Sequence, residues 1–139
     1  MRTTYGNETS ATALLGYAAD ERGHGLVYAQ VTAPGGRYLL RLPFRVSPKV
    51  SERGVGYAAT AATARRLRER GYRRVRFQLG DRGLATEMGS RVELPEALVL
   101  PYVRLRCLFN AFESAVVEPG DAEDLIARAR AEVALNQAA

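Results

Sequence analysis

The chain has 139 residues, enough for one domain of about 100–200 residues whose core needs no disulfide or metal staple. Hydrophobic residues are 47% and charged residues 25%, a globular balance that argues against a largely disordered chain. The net charge is +5; there is no run of about 18 apolar residues to span a membrane, and the lone Cys107 excludes an internal disulfide or a cysteine zinc cage.

The opening residues, MRTTYGNETS, are polar and lack the apolar stretch of a secretory signal. The expectation is a cytoplasmic protein with residues 1–10 disordered and one domain over 1–139. Ala11–Asp20 is apolar and small and reads as a first strand. Glu21-Arg22-Gly23-His24-Gly25 is a turn by its glycines, with His24 exposed in it. Leu26–Thr32 reads as a second strand, and Pro34-Gly35-Gly36 turns the chain again. Arg37–Val46 sets Tyr38, Leu40, Leu42 and Phe44 against a mostly basic face, which is strand periodicity. Three strands with short turns form an antiparallel meander.

The period then changes. Ser51 is an N-cap before an Ala-rich stretch in which Tyr57, Ala58, Ala61, Ala64 and Leu67 recur at helical spacing, and Gly71 stops the helix. Arg73–Leu79 is a fourth strand, parallel to the first because a helix separates them. Leu84–Met88 makes one or two helical turns, and Gly89–Glu96 is loop. Pro101–Phe112 is helical, with Leu98–Leu100 either extended chain or a first turn. Ser114–Val117 is a short strand, and Asp121 caps a last helix that buries Leu125, Ile126, Ala129 and Val133. The result is an α/β layer on a mixed five-stranded sheet.

Nineteen of the twenty basic residues are Arg, and residues 51–82 carry nine Arg against Glu52, Glu69 and Asp81. A planar guanidinium fork suits phosphate, so this stripe points to a polyanion; a solvated helix face explains it equally well on charge alone.

Both the element order and two long strings resemble the ribonuclease H domain of the ribonuclease H-like superfamily. YAATAATARRLRERGYRRVRFQLGD, from Tyr57 to Asp81, follows the family's run from its first helix to the acid that ends the fourth strand. PYVRLRCLFNAFESAVVEPGDAEDLIARARAEV is similar to the family's C-terminal part through Arg104, Leu108, Phe112, Pro119, Asp124 and Ala127. The resemblance implies an α/β ribonuclease H-like fold and carboxylates that hold two Mg²⁺ or Mn²⁺ ions roughly 3.5–4 Å apart for RNA–DNA hybrid hydrolysis.

It carries over to Asp81 at the end of the fourth strand, to Asp124 at the start of the last helix, and to Asp20 at the end of the first strand. There Asp20-Glu21-Arg22-Gly23 replaces the family's Asp-Gly-Ser. Gly56 stands where the family's helix has Glu, and Glu52, one turn earlier on the same face, is the substitute ligand or a solvated first-turn acid. The family's His before the last helix is missing, with Val117 or Glu118 there. The candidate catalytic and metal residues are thus Asp20, Asp81 and Asp124, with Glu52 as a further metal ligand; Arg65, Arg66 and Arg73 are the candidate nucleic-acid contacts.

Each acid also has a plain structural reading: Asp81 in a turn, Asp124 against the helix dipole, Asp20 opening a loop. Cys107 is expected to be core or partly buried. Three functions stay open: a metal-dependent nuclease, an inactive nucleic-acid-binding domain, and a protein-interaction module that uses a sheet edge or apolar patch to form a homodimer.

Overall fold

The computed structural model describes residues 9–90 and 92–138. Strands β1 (Ser10–Ala19), β2 (His24–Ala33) and β3 (Gly36–Arg45) are followed by helix α1 (Glu52–Glu69) and strand β4 (Arg74–Leu79). Helices α2 (Arg82–Gly89) and α3 (Glu96–Phe109), strand β5 (Ser114–Pro119) and helix α4 (Glu123–Ala138) complete the order. The five strands form one sheet in the order β3-β2-β1-β4-β5. β1 pairs antiparallel with β2 and parallel with β4, and β5 adds parallel to β4. This is the expected meander followed by a helical crossover.

Alternation decides which residues face which layer. Ala13 and Leu15 of β1, Val27 and Val31 of β2, Leu42 of β3 and Val75, Phe77 and Leu79 of β4 join Tyr57, Ala64 and Leu67 of α1 and Leu105 and Phe109 of α3 in the main core. The Phe77 and Phe109 rings stack at 5.3 Å. The other sheet face is covered by α4, where Leu26 and Tyr28 meet Ala129 and Val133. The small residues of α1 let it lie close to the sheet. Its buried Thr60 and Thr63 are satisfied within the helix, donating to Gly56 O at 2.8 Å and Ala59 O at 2.9 Å.

Local signals set the helix ends. Ser51 Oγ accepts the Gly54 N–H at 3.1 Å, as an N-cap should. At the other end Gly71 has φ +94°, and the Gly71 and Tyr72 N–H groups bond back to Arg68 O and Leu67 O, a Schellman stop. A Cβ on Gly16 of β1 would strike the backbone of Leu125 and Ile126, so a bare Cα is what lets α4 approach the sheet.

Three expectations are corrected and one open alternative is resolved. Ser10 lies in β1, and Thr9 O accepts the Arg73 N–H at 2.7 Å, so residues 9 and 10 belong to the fold; residues 1–8 lie outside the described residues. His24 opens β2 instead of sitting in the turn, because Asp20 Oδ1 takes its N–H at 2.9 Å and Asp20 N–H donates to His24 O at 2.9 Å. α3 starts at Glu96, with Pro101 inside it. Proline removes a single N–H, the one that would reach Ala97, and the burial of Leu98 anchors the preceding turn. Cys107 is exposed, since α3 turns Leu105 and Phe109 to the core and Cys107 away.

Glu132 of α4 ties that helix to the meander: Tyr28 donates to one of its oxygens and Arg41 to the other, Arg41 Nε at 2.6 Å. The Arg41 guanidinium, then the Tyr28 hydroxyl, hold the Glu132 carboxyl below the usual carboxylate range. A depressed folded-state pKa stabilises above the ordinary value and loses that contribution as pH falls. Glu132→Gln is therefore expected to lower the melting temperature at pH 7 and to narrow the gap between pH 7 and pH 3, in thermal melts across that range. Gly16→Ala is expected to destabilise by roughly 1–3 kcal/mol through overpacking. Gly35→Ala, with open space around it, should leave the melting temperature nearly unchanged.

Candidate functional site

The parallel pair sets the site. Leu15 is level with Leu79, so two residues further on Tyr17 is level with Asp81. Asp20, the expected first-strand acid, lies three residues beyond that level, in the β1–β2 turn. Around this end of the sheet, Tyr17, Asp20, Glu52, Arg53, Asp81, Ile126 and Arg130 line one cleft. The structure thus brings three of the four sequence-derived acids, Asp20, Glu52 and Asp81, to one cleft.

Asp124 is not among them. It lines a separate depression with Leu14, Gln30 and Tyr38. The α4 residues that reach the acid cleft are Ile126 and Arg130, and positions two apart on a helix point to different sides. Of the expected set, Asp20 and Asp81 share the cleft and Asp124 lines a separate depression. Among the described residues, no three His, Cys, Asp or Glu side chains are placed to hold a metal.

Asp20 and Asp81 each have their own partners. Asp20 Oδ1 accepts the Arg22 and His24 N–H groups at 2.9 Å, and Oδ2 lies 3.3 Å from His24 Nδ1. The His24 N–H, the largest of these influences, keeps the Asp20 carboxyl below its ordinary value. Asp81 Oδ1 caps α2 by accepting the Leu84 N–H at 3.2 Å, and Oδ2 accepts Arg53 Nε at 2.7 Å. Arg53 Nη1 reaches across to Glu87 Oε2, also at 2.7 Å, and Glu87 Oε1 accepts the Tyr57 hydroxyl at 2.7 Å. The Asp81 hydrogen bond leads the effects that raise the Arg53 pKa above its already high value. Tyr57, Glu87, Arg53, Asp81 and the α2 N-terminus make a closed chain of satisfied donors and acceptors. A bare Cα at Gly83 makes room for the guanidinium.

Tyr17 fills the middle. Its hydroxyl lies 2.6 Å from where a Cβ on Gly56 would be, and Leu84 Cδ1 is at 2.9 Å from the same point. Burial first, then the negative charges of Asp81 and Glu52, push the Tyr17 phenol up to about 12, so it is a neutral donor at physiological pH. A glutamate at Gly56, where the resemblance places one, would have to displace the ends of the Tyr17 and Leu84 side chains. Tyr17 and Arg53 are the residues that sequence reasoning missed. Extending the β1–β4 register would have found Tyr17; Arg53, whose partners are 28 and 34 residues away, left no local signal.

The donor set does not fit a pair of divalent ions. The acids in the cleft are Asp20, held in the β1–β2 turn, Asp81, bound to Arg53, and Glu52, with a phenol and a glycine beside Asp81, and no three of the described acids are placed around one point.

Of the candidate phosphate contacts, Arg65 is exposed with no ion pair to a described residue, Arg66 Nε is 3.4 Å from Glu69, and Arg73 Nε is 3.6 Å from Glu113. Exposed pairs like these are worth roughly 0–1 kcal/mol, so a phosphate can compete for both cations. Arg68 is likewise exposed and unpaired among the described residues, and Arg70 lies 5.0 Å over the Tyr38 ring.

Solved structures similar to this chain are ribonucleases H. Ribonuclease H1 from the halophilic archaeon Halobacterium salinarum NRC-1 aligns with TM-score 0.73 and 14% identity over 91% of this chain and 98% of its own. The N-terminal ribonuclease H domain of Rv2228c from Mycobacterium tuberculosis, solved as a fusion with maltose-binding protein, gives TM-score 0.73 and 14% identity over 93% and 99%. LC11-RNase H1 in complex with an RNA/DNA hybrid gives TM-score 0.61 and 14% identity over 87% and 91%. No protein-family model and no curated protein sequence matches the chain. The chain has the ribonuclease H-like fold, as the sequence resemblance implied.

Gly56→Ala is expected to lower the melting temperature, although alanine gains about 0.8–1.0 kcal/mol in helix propensity over glycine. Tyr17→Phe should partly rescue it, because the nearest remaining Tyr17 atom is the ring Cζ at 3.1 Å. Equal stability of Gly56→Ala and the unaltered chain would contradict the close contact.

Proposed function

We propose that this chain is a ribonuclease H-like domain that binds nucleic acid through its phosphates and does not cut it by a two-metal route. The observation that carries the second half is the state of Asp81. Both of its oxygens are committed, one to a helix N-terminus and one to Arg53, while Tyr17 and Gly56 flank it without offering a ligand. Divalent ions such as Mg²⁺ take oxygen donors in near-ideal octahedral geometry, and this set does not supply them.

The first half rests on the exposed cations at the end of α1, Arg65, Arg66 and Arg68, with Arg73 at the start of β4. The complex of LC11-RNase H1 with an RNA/DNA hybrid makes a hybrid duplex the first ligand to try. Binding through arginine–phosphate contacts is sequence-independent and weakens with salt by counterion release. If the chain does cut, the route is metal-dependent hydrolysis of the hybrid with Mg²⁺ or Mn²⁺ at the acids that share the cleft, Asp20, Glu52 and Asp81.

A labelled RNA–DNA hybrid titrated at low salt is expected to bind, and affinity should fall steeply between about 50 and 200 mM salt. Arg65→Glu combined with Arg68→Glu should weaken binding at least about tenfold, each lost phosphate contact removing a share of the counterion release. Incubation of the hybrid with the protein in Mg²⁺ or Mn²⁺ should leave it uncut. Cleavage that disappears in Asp81→Asn would restore the nuclease reading; absence of binding at low salt would sink the nucleic-acid reading.

A protein-interaction module is the second reading, favoured by one observation. Val99, Leu100 and Val103 of α3 are exposed at 46%, 56% and 46%, and Cys107 continues the same helix face. If they form a self-association surface, sedimentation should show a concentration-dependent dimer that Leu100→Lys abolishes.

A further inference from the structure

We propose that Arg53 is the resident cation of the Asp81–Glu87 pair, and that removing its guanidinium converts that pair into a divalent-cation site. The inference is independent of nucleic-acid binding and concerns why the cleft has no use for a metal.

Two carboxylates meet one guanidinium here. Arg53 Nε donates to Asp81 at 2.7 Å and Arg53 Nη1 to Glu87 at 2.7 Å. The Asp81 and Glu87 side chains are 23% and 11% exposed, so neither is freely solvated. No other cation among the described residues makes an ion pair with either. Glu52 lines the same cleft and adds negative charge beside Asp81.

A half-buried like-charged pair is costly unless a cation offsets it, and the guanidinium does so from α1. The fit is built in: Gly83 yields the space the guanidinium occupies, Tyr57 holds the far oxygen of Glu87, and the Leu84 N–H holds the far oxygen of Asp81. Arg53 itself is fixed by its place in the first turn of α1, next to the Ser51 cap. Truncating Arg53 leaves the two carboxylates aimed into the space that the guanidinium filled. Carboxylate oxygens suit Mn²⁺, and Mn²⁺ tolerates an irregular or partly aqueous ligand set better than Mg²⁺, which demands near-octahedral geometry.

The test uses MnCl₂ alone, read by melting temperature and by the free-Mn²⁺ signal in electron paramagnetic resonance, with no nucleic acid present. The unaltered chain is expected to show no Mn²⁺-dependent shift and no change with EDTA. Arg53→Met, which keeps the stem and removes the charge, should melt lower in EDTA, regain several degrees on adding Mn²⁺, and remove free Mn²⁺ from solution. Adding Glu87→Gln to Arg53→Met should abolish the Mn²⁺ response. Arg53→Lys keeps a cation and should stay unresponsive.

Saturable Mn²⁺ binding by the unaltered chain, lost in Asp81→Asn, would overturn the proposal, since Arg53 would then not hold the place. A folded Arg53→Met chain that responds to no divalent ion would overturn it as well. If Arg53→Met does not fold, the unaltered chain and Arg53→Lys still decide: a Mn²⁺ response in either refutes the proposal, and folding of Arg53→Met recovered by Mn²⁺ alone supports it. None of these readings depends on whether the chain binds a hybrid, so a failure here and a failure of the nucleic-acid reading are separable.

Discussion

Everything in this fold leans on β1, which is covered on both faces. It is the one strand that pairs both ways, antiparallel to β2 and parallel to β4. On one side Ala11 and Ala13 meet α1, itself lined with Ala59, Ala61 and Ala64. On the other, Gly16 meets the backbone of α4. Small residues trade apolar area for proximity, and Phe77, Leu67, Leu105 and Leu15 restore the buried volume around them. That proximity carries through to the cleft. Because α1 and α4 both press close to β1, the side chains at the end of the sheet compete for little space, and Tyr17 fills what Gly56 leaves.

The cleft then reads as a problem in charge compensation. Asp81 and Glu87 are kept near each other by a strand end and a short helix, and their charges have to be met from within the protein or from solution. A divalent ion and a guanidinium are alternative answers to the same electrostatic demand. The guanidinium comes covalently attached and needs no binding equilibrium, but it blocks the lone pairs a metal would use. Catalysis by metal-activated water requires an exchangeable position on the ion, and a guanidinium offers none. On the proposed reading, the same bond that satisfies Asp81 competes with the metal chemistry that an acid at this strand end would otherwise support.

Much of the fold was legible because its signals are local. Ser51 and Gly71 bracket α1, the Leu40 and Leu42 alternation marks β3, and a helix between strands forces the β1–β4 pair to be parallel. The start of α3 stays open in the sequence because Pro101 fits a first turn as well as an interior position, and only the burial of Leu98 decides for the longer helix. The cleft was legible only in outline. Asp20, Glu52 and Asp81 do share it, but Asp124 sits two positions from the α4 residue that enters it, a difference of helix face that no spacing rule reveals without the strand register. Asp20 ends the apolar run of β1, which makes it the natural candidate for a first-strand acid. The register instead makes Tyr17 the neighbour of Asp81, and a tyrosine inside an apolar strand looks like any core residue.

The placement of positive charge separates binding from the acid cleft. α1 has 18 residues and is therefore about 27 Å long at 1.5 Å per residue. Arg53 lies in its first turn beside Asp81, and Arg65 and Arg68 lie roughly 20 Å along its axis, at the opposite end of β4. A mononucleotide cannot touch both regions. A duplex can, because its phosphates repeat along a rod that extends past either end of the helix. The cations at the far end of α1 would then supply affinity wherever along the duplex they landed. The cleft end, with Lys49 and Arg130 set among Asp20, Glu21 and Glu52, would add little net attraction. In a ligand held mainly at one end, the scissile position of a nuclease would be free to wander. Cleavage needs the reacting phosphate fixed against its metals, and binding needs only charge on the right face. On the proposed reading, the exposed arginines at the end of α1 meet the second requirement, while Arg53, paired with Asp81 and Glu87, stands against the first.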